Sequence, residues 1–498
     1  MATPDVSTLR PPRRGLLQPA ADYQMVAGLF LRLLGLIYIA AFASLAVQIT
    51  GLAGSQGILP VADLLRDATA TYGQWRYLRL PTLFWLDASD LALQATTVAG
   101  VVCGLLLALN LLPRLMLVLL FVLYLSLFQA GQVFMNFQWD YLLLEAGFLG
   151  IFLPGGSRIV IWLYRWLLFR LRFLSGASKL LSGDPSWSGL TALNFYFETQ
   201  PLPHVGSWYA HQIPEWLLRA GTGAALFTEL VVPFMMFLPR PWRLFAAWAT
   251  ILMQLLIILT SNHNFFNLLT LTLCLFLFDD QALRRILPGM KGYRFRLAPK
   301  PLHPGLAPVR ALLLGATATL LVVVSGSLAA DMFLGRRVPE PLATLEEWTF
   351  PYQLAHRYHV FPTITTERLE LVVEGSTDGV TWKRYPFRYK PGDPLEAPRF
   401  IVPHQPRLDW MAWFIPLGHP MNARWYNNFL QRLREGSPAV LGLLRENPFP
   451  DGPPRYLRAT LRHYRFTDPA TRDATGAWWT TEYRGPFLGW FVMPPITD

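Results

Sequence analysis

Up to residue 330 the chain is a succession of apolar runs separated by short polar or basic segments. A helix needs about 20 apolar residues to cross a bilayer. The candidate spans are Val26–Ile49, Leu91–Leu112, Leu115–Met135, Tyr141–Leu153, Ile159–Leu174, Leu217–Leu238, Leu244–Thr260, Phe265–Phe278 and Ala311–Ala329. Tyr141–Leu153 and Phe265–Phe278 are short, so the expected count is seven to nine, with nine preferred. The first run carries Arg32 and has no clear small-residue cleavage site, unlike a cleaved signal peptide. Composition agrees with this reading: 53% of residues are hydrophobic and 15% charged, against roughly 25% charged in soluble domains. Disordered, collagen-like and purely soluble chains are excluded.

The formal net charge of +11 comes from 43 basic and 32 acidic residues. Most of the excess lies in short loops between apolar runs, where it sets membrane orientation, so no nucleic-acid partner is expected. With nine spans and a cytoplasmic N-terminus, the inner segments hold Arg10, Arg13, Arg14, Arg114, Arg158, Arg240, Arg243, Arg284, Arg285, Lys291, Arg294, Arg296 and Lys300. The outer segments before the last span hold only Arg66, Arg76, Arg79, Lys179 and Arg219. This asymmetry puts the tail after residue 330 outside the cytoplasm. Cys103 and Cys274 both sit in apolar runs, which excludes a disulfide framework and a Cys-type zinc site.

The tail is more polar. ERLELVVEGSTDGVTWKRYPFRYKPGD alternates apolar and polar residues around a turn near Ser376–Gly379, which predicts an antiparallel pair. A second pair is predicted at Arg455–Thr467 and Ala477–Arg484, with short helices at Asn422–Arg434 and Pro438–Glu446 between them. Ser437 suits an N-cap and Pro438 the first helical position. Trp410, Trp413, Trp425, Trp478, Trp479 and Trp490 suit either a packed core or a protein-binding face. The expected fold class is a polytopic α-helical membrane protein with a C-terminal extracytoplasmic β-rich, sandwich-like domain. Its parts are a cytoplasmic tail at 1–25, a membrane domain at 26–330 with an outer loop at 182–215, and a β-rich domain with a helical insertion at 331–498.

There is no GxSxG elbow, P-loop or CxxC. Gly221 and Gly223 fall inside a span, where close helix packing accounts for them. Charges inside apolar runs say more, since Arg or Lys at a helix centre costs about 2.5–3.5 kcal/mol on insertion scales. Arg165, Arg172 and Lys179 recur every seven residues along one helical stripe, with Arg170 on another face. Asp140, Glu145 and Glu229 on neighbouring spans are candidate counter-charges. Two readings stay open: interhelical ion pairs, or a polar cavity for a substrate, lipid headgroup or client segment. The outer loop adds Asp184, Glu198, His204, His211 and Glu215. Pro214 starts the next helix and so denies His211 and Glu215 a common face for metal binding. His263 reads as a hydrogen-bonding residue at a span end. If the chain is an enzyme, the candidate catalytic residues are Asp140, Glu145, Arg172, Lys179, Glu198, His211, Glu229 and His263. No metal or cofactor is called for.

These segments resemble the lipase maturation factor family. The resemblance is carried by RWLLFRLRFLSGASKLLSGDPSWSGLTALNFYFETQPLP at Arg165–Pro203, by ELVVP at Glu229–Pro233 and by SNHNFFNLLT at Ser261–Thr270. In the tail it continues through RLDWMAWF at Arg407–Phe414, NPFP at Asn447–Pro450, HYRFT at His463–Thr467 and GAWWTTEYRGPFLG at Gly476–Gly489. The resemblance implies a membrane-embedded, non-catalytic assembly factor for secreted lipases, which in animals resides in the endoplasmic reticulum. The absence of an Asn-X-Ser/Thr sequon and of a C-terminal retention signal, with 38 Arg to 5 Lys, instead suits a bacterial inner membrane with the tail in the periplasm. The expected partners are membrane lipids and a secreted client, a lipase or another protein. Its binding candidates are Trp187, Phe195, Tyr196, Phe197, Trp478 and Trp479. The rival reading is a membrane enzyme acting on a lipid-like or peptide substrate, distantly carboxylase-like in architecture.

Overall fold

The computed structural model describes residues 21–155, 157–288, 307–335, 338–419 and 422–487. The N-terminal tail with Arg10, Arg13 and Arg14, the basic run from Lys291 to Lys300, and Trp490 lie outside the described residues.

The membrane part is helical. Its main helices are α1 (Gln24–Ala46), α2 (Val61–Tyr72), α3 (Asp90–Ala108), α4 (Pro113–Gly131), α5 (Gln138–Gly150) and α6 (Arg158–Leu181). After these come α7 (Ala192–Thr199), α8 (Val205–His211), α9 (Glu215–Leu230), α10 (Arg240–Thr260), α11 (Phe266–Leu273) and α12 (Ala307–Leu334). Among the described residues five helical stretches are long and apolar enough to cross a membrane alone, and the bent pair Phe266–Leu277 and Asp280–Ile286 makes a sixth. The predicted spans Tyr141–Leu153, Ile159–Leu174 and Leu217–Leu238 are helical as well, as α5, α6 and α9. They fall short in length or in apolarity, so their place depends on neighbours.

The apolar α1 is the central helix, with Phe30, Leu34, Tyr38 and Phe42 fully buried. Lipid tails are as apolar as Leu, so close packing has to hold such helices together. Small residues permit it. A Cβ on Gly35 would sit 2.7 Å from the backbone of Gly104 and Ala108 on α3. Of the two glycines in α9, Gly221 meets one Leu193 methyl at 3.0 Å, whereas Gly223 has nothing within 4 Å. Close packing therefore does not account for Gly223.

Hydrogen bonds sort the helix ends into two faces. On one, Asp280 Oδ1 accepts from the N–H groups of Met25 and Val26 at 3.0 Å each, capping α1. Asp279 takes Arg240 at 2.7 Å and Arg243 at 3.3 Å, and Asp22 takes Arg158 at 3.0 Å. On the other, the ends of α1, α6 and α10 meet the segments between 355 and 467 and the loop helices α7 and α8.

Beyond α12 and α13 (Glu340–Thr349), the tail forms β1 (Arg368–Ser376), β2 (Lys383–Arg384), β3 (Tyr456–Phe466) and β4 (Trp479–Pro486). They make one antiparallel sheet in the order β2-β1-β3-β4, with Val372 opposite Thr460 and Tyr464 opposite Thr481. The β1–β2 connection turns where predicted: Asp378 Oδ1 accepts from Val380 and Thr381, and Gly379 takes φ +76°. The predicted insertion contains α14 (Arg407–Ala412), α15 (Ala423–Arg434) and α16 (Pro438–Leu441), and Ser437 caps α16 through Val440 N–H.

Among the described residues the sheet packs against helices, not against a second sheet. Leu371 and Val373 share a core with Leu408, Trp425 and Phe429, and that core takes in Leu52, Ile58 and Phe134 from the membrane part. The opposite side of the sheet places Tyr464, Phe466 and Trp479 against Trp208 of α8. Strand pairing over so few residues buries too little apolar surface alone, so the helices complete the core. The stretch 182–215, predicted as a loop, is largely helical: a four-residue helix at Pro185–Ser188 precedes α7 and α8. Asp184 caps the first of these through Ser186 N–H at 2.8 Å.

Candidate functional site

The stripe on α6 is built around Glu229 of α9. Arg172 reaches one carboxylate oxygen at 3.3 Å and Lys179 the other at 2.8 Å. Gly176 lies between them in sequence, and a Cβ there would come 2.7 Å from Glu229 Cβ. The missing side chain is what lets the carboxylate reach both cations. Arg170, on the other face, pairs with Glu145 of α5 and donates to His356 O at 3.3 Å. Among the described residues Arg165 forms no salt bridge. It points toward the opposite face, donating to Phe276 O at 2.9 Å and to the Tyr23 hydroxyl. The ion-paired arrangement therefore holds for Arg170, Arg172 and Lys179.

Asp140 pairs outside the bundle. Arg407, at the start of α14, grips it with two N–H groups at 2.6 and 2.7 Å, and the Tyr124 hydroxyl donates to it at 2.6 Å. Both side chains are essentially inaccessible. In the sequence Arg407 stands out only as part of RLDWMAWF. The signal for the pair is a cation heading an aromatic-rich stretch, with Asp140 lacking a basic residue at helical spacing.

A second missed residue, Arg368, explains the hallmark FETQPLP. Its guanidinium donates to Glu198 O at 2.9 Å, to Gln200 O, and to Pro201 O at 3.0 Å. Glu370, beside it on β1, is shared with Lys390 at 2.6 Å. Around this clamp, Trp413 Nε1 donates to Thr199 O at 2.9 Å. Phe466 N–H donates to Glu198 Oε2 at 2.6 Å. SNHNFFN is held in the same way. Asn262 donates to Arg399 O at 2.8 Å and accepts from Ile401 N–H at 3.0 Å, while Asn264 donates to Gln405 at 2.8 Å. Asp184 accepts from Ile364 N–H at 2.6 Å; burial raises its pKa, but this bond and that from Ser186 outweigh it and the net shift is downward.

The histidines are structural in geometry. His263 Nε2 lies 2.6 Å from the Tyr196 hydroxyl, and burial, with His204 nearby, lowers its pKa to about 4. His204 Nδ1 accepts from Gly206 N–H at 2.9 Å and caps α8. His211 Nε2 is 3.8 Å from Glu198, yet burial lowers its pKa against the pull of that carboxylate. A neutral His211 makes this a weak contact, not a salt bridge, and Glu198 already serves Phe466 N–H. Glu215 is exposed and pairs locally with Arg219 at 2.9 Å.

The predicted client-binding aromatics divide. Trp187, Phe197 and Trp479 are buried and offer no outer contact surface. Trp187 covers the Lys179 ammonium at 5.0 Å, Phe197 packs on Ala210 and Leu218, and Trp479 stacks on Phe466 at 4.2 Å. Trp187 and Trp479 lie over the buried cations Lys179 and Arg368, and Phe197 fills an apolar cluster, which the expectation of an exposed sticky face overlooked. Tyr196 is half-buried with its hydroxyl engaged, and Phe195 is half-buried. Trp478 is half-buried, 3.9 Å from the Arg472 guanidinium, and next to it Tyr209 is exposed.

Residues 25–285 match the lipase maturation factor transmembrane domain, and residues 354–489 match the lipase maturation factor C-terminal domain. The chain belongs to the lipase maturation factor family. It is 34% identical to lipase maturation factor 2 of Xenopus laevis, over 96% of this chain and 84% of that protein. It is 34% identical to lipase maturation factor 2 of Homo sapiens (92% and 82% covered) and 32% identical to lipase maturation factor 1 of Mus musculus (94% and 86%). No solved structure matches the chain. As a lipase maturation factor homologue it is a multi-pass membrane protein, and its two matched domains are the halves that Arg368, Arg407 and Asn262 join.

Removing one member of a buried pair typically costs about 3–5 kcal/mol, because the other charge is left uncompensated. Arg407→Ala and Glu229→Ala should each sharply lower the yield of monodisperse protein. Arg424→Ala, whose pair with Asp67 is exposed, should leave it within about 20% of the parent, as surface pairs contribute about 0–1 kcal/mol. Size-exclusion profiles of the three variants decide this, and equal yields would refute it.

Acid should loosen the joint. Burial, with Arg407 and Arg388 nearby, lowers the His404 pKa to about 4, and burial with Arg170 lowers that of His356 to about 3. The unfolded value is about 6.5, so their stabilisation is present above pH 6.5 and is lost as pH falls toward 4. Burial raises the Asp409 pKa to about 6; its contribution is lost as pH rises toward 6 and offsets part of the change. Thermal unfolding in detergent should show the Tm falling from pH 7 to pH 4.5, with a flatter slope in the double variant His356→Gln, His404→Gln. An unchanged slope would refute the assignment.

Proposed function

We propose that the chain assists the folding or assembly of a secreted lipase, or of another extracytoplasmic client, as a binding platform and not as a catalyst. The name shared by its relatives supports the lipase client. The observation that carries the non-catalytic reading is that the candidate carboxylates are already engaged: Glu145 and Glu229 by cations of the family's hallmark stretch, Asp140 by Arg407, and Glu198 by a backbone N–H. A general acid or base must reach a proton on substrate, and these groups are turned inward. The client face is then the exposed side of α8 and the β3–β4 corner, where Tyr209, Trp478 and Arg472 lie together. Aromatic and Arg residues are the usual anchors of protein interfaces.

The membrane is the bacterial inner membrane, with the tail in the periplasm, or the endoplasmic reticulum in a eukaryotic host. The basic asymmetry of the loops supports this orientation. A reporter active only after export should work when fused behind residue 498, and activity there of a cytoplasm-only reporter would overturn the orientation.

For the client, co-purification of a secreted lipase with variants is decisive. Anchors of this kind cost about 2 kcal/mol or more on truncation, roughly 30-fold in affinity. Tyr209→Ala and Trp478→Ala together should therefore nearly abolish capture, while Glu198→Gln and His211→Gln capture normally and still yield active lipase. The proposal fails if the aromatic variant captures like the parent while either conservative variant captures client yet yields no active lipase.

A further inference from the structure

A cleft separate from the polar joint opens on the face that carries the C-terminal domain. It measures about 950 Å³ and lies between the segment 64–80, the end of α4 with the turn after it, and the segment 347–353 at the end of α13. Ligand pockets typically span about 300–1,000 Å³. The joint uses none of its lining residues.

The lining has two parts. Leu64, Leu80, Phe128 and Val133 give an apolar wall that begins at the end of a membrane-crossing helix. The rim carries rings and balanced charge. Trp75 and Trp348 meet edge to face at 5.9 Å, and the Arg79 guanidinium sits 4.3 Å over Trp348. Arg79 pairs with Glu347 at 2.9 Å and Arg424 with Asp67 at 3.3 Å. Two cations and two carboxylates leave the rim neutral. Asp67, Arg424 and Glu347 are well exposed, and exposed pairs are weak, so either partner can be exchanged for a charge on a ligand.

We propose that this cleft binds one phospholipid with a zwitterionic headgroup from the leaflet on the C-terminal side. The phosphate faces Arg79 and Arg424, the ammonium faces the rings and carboxylates, and an acyl chain follows the apolar wall onto α4. Three observations favour a lipid over a peptide. The wall includes Phe128 of α4, and earlier on the same helix Val118 and Val122 are exposed and apolar. Trp and Tyr on the rim, here Trp75, Trp348 and Tyr72, suit headgroup depth. An apolar wall under a neutral, doubly charged rim matches an amphiphile carrying both signs. An anionic lipid would leave both carboxylates facing its charge. Ring faces attract ammonium groups, and an ethanolamine N–H can also donate to the rim carboxylates Asp67 and Glu347, which choline cannot, so ethanolamine is preferred to choline.

The test uses the full chain, delipidated in detergent and titrated with phosphatidylethanolamine, phosphatidylcholine or phosphatidylglycerol, read by thermal shift and by native mass spectrometry. One phosphatidylethanolamine per chain is expected to stay bound and raise the Tm, with phosphatidylcholine weaker and phosphatidylglycerol weakest. Trp75→Leu with Trp348→Leu, both at partly exposed positions, should weaken retention at least tenfold while the lipid-free Tm stays near that of the parent. Asp67→Asn with Glu347→Gln should erase the preference of ethanolamine over choline while retaining lipid. Equal stabilisation by all three lipids, or unchanged retention in the double Trp variant, would overturn the proposal. So would crosslinking of a lipase peptide to the cleft that added lipid does not displace.

Discussion

A guanidinium or ammonium cannot remain unpaired at bilayer depth without a large solvation cost, and α6 carries several. Arg170, Arg172 and Lys179 occupy two faces of one helix, so α6 needs carboxylates on two sides. Glu145 supplies one from α5 and Glu229 the other from α9. The order of helices around α6 follows from that requirement more than from any apolar preference, since a leucine face packs equally well on lipid or on another leucine face. Buried pairs of this kind add little net stability compared with well-packed apolar residues, because desolvation offsets most of the attraction. What they supply is selection. A slipped or rotated α6 would strand two or three charges at once.

The same logic carries across the boundary of the membrane domain. Asp140 finds its partner 267 residues away, in Arg407, and the hallmark carbonyls of Glu198, Gln200 and Pro201 find theirs in Arg368. Neither half is self-sufficient. Without the tail, Asp140 would be a buried carboxylate with only a tyrosine hydroxyl, and without the hallmark stretch, Arg368 would be a fully buried cation leaning on Glu370 alone. The shared apolar core of Leu52, Phe134, Leu408 and Trp425 closes the same boundary by packing.

The helix positions, the strand pairs, the Ser437 cap and the Arg172–Lys179 part of the seven-residue stripe were legible because each rests on local periodicity or turn chemistry; the expected seven to nine spans were not, since among the described residues five or six stretches are long and apolar enough to cross a membrane. Glu145 and Glu229 were legible as counter-charges because few carboxylates occur inside apolar runs. The Asp140–Arg407 and Arg368–carbonyl contacts were not, since local spacing does not report a partner hundreds of residues away. The second layer expected over the sheet was also out of reach: strand patterns show that one face is buried, and leave open whether helices or strands bury it. Trp187 and Trp479 misled for a related reason. Density of tryptophan is the same signal whether the rings cover a buried cation, as they do here, or wait for a partner.

This has a consequence for where function resides. Residues that carry the family resemblance, such as FETQPLP, SNHNFFN and RLDWMAWF, are largely turned inward as clamps, caps and ion pairs. A motif of that kind identifies a fold, because every member must solve the same problem of uncompensated charge and unsatisfied carbonyls. It does not by itself mark a contact surface. Surface chemistry is freer to vary, since an exposed Tyr209 or Trp75 satisfies no buried partner and its loss leaves the joint intact. Of the contacts proposed above, Tyr209 and Trp75 lie beside the motifs and Trp478 within one, on a scaffold that the motifs hold together.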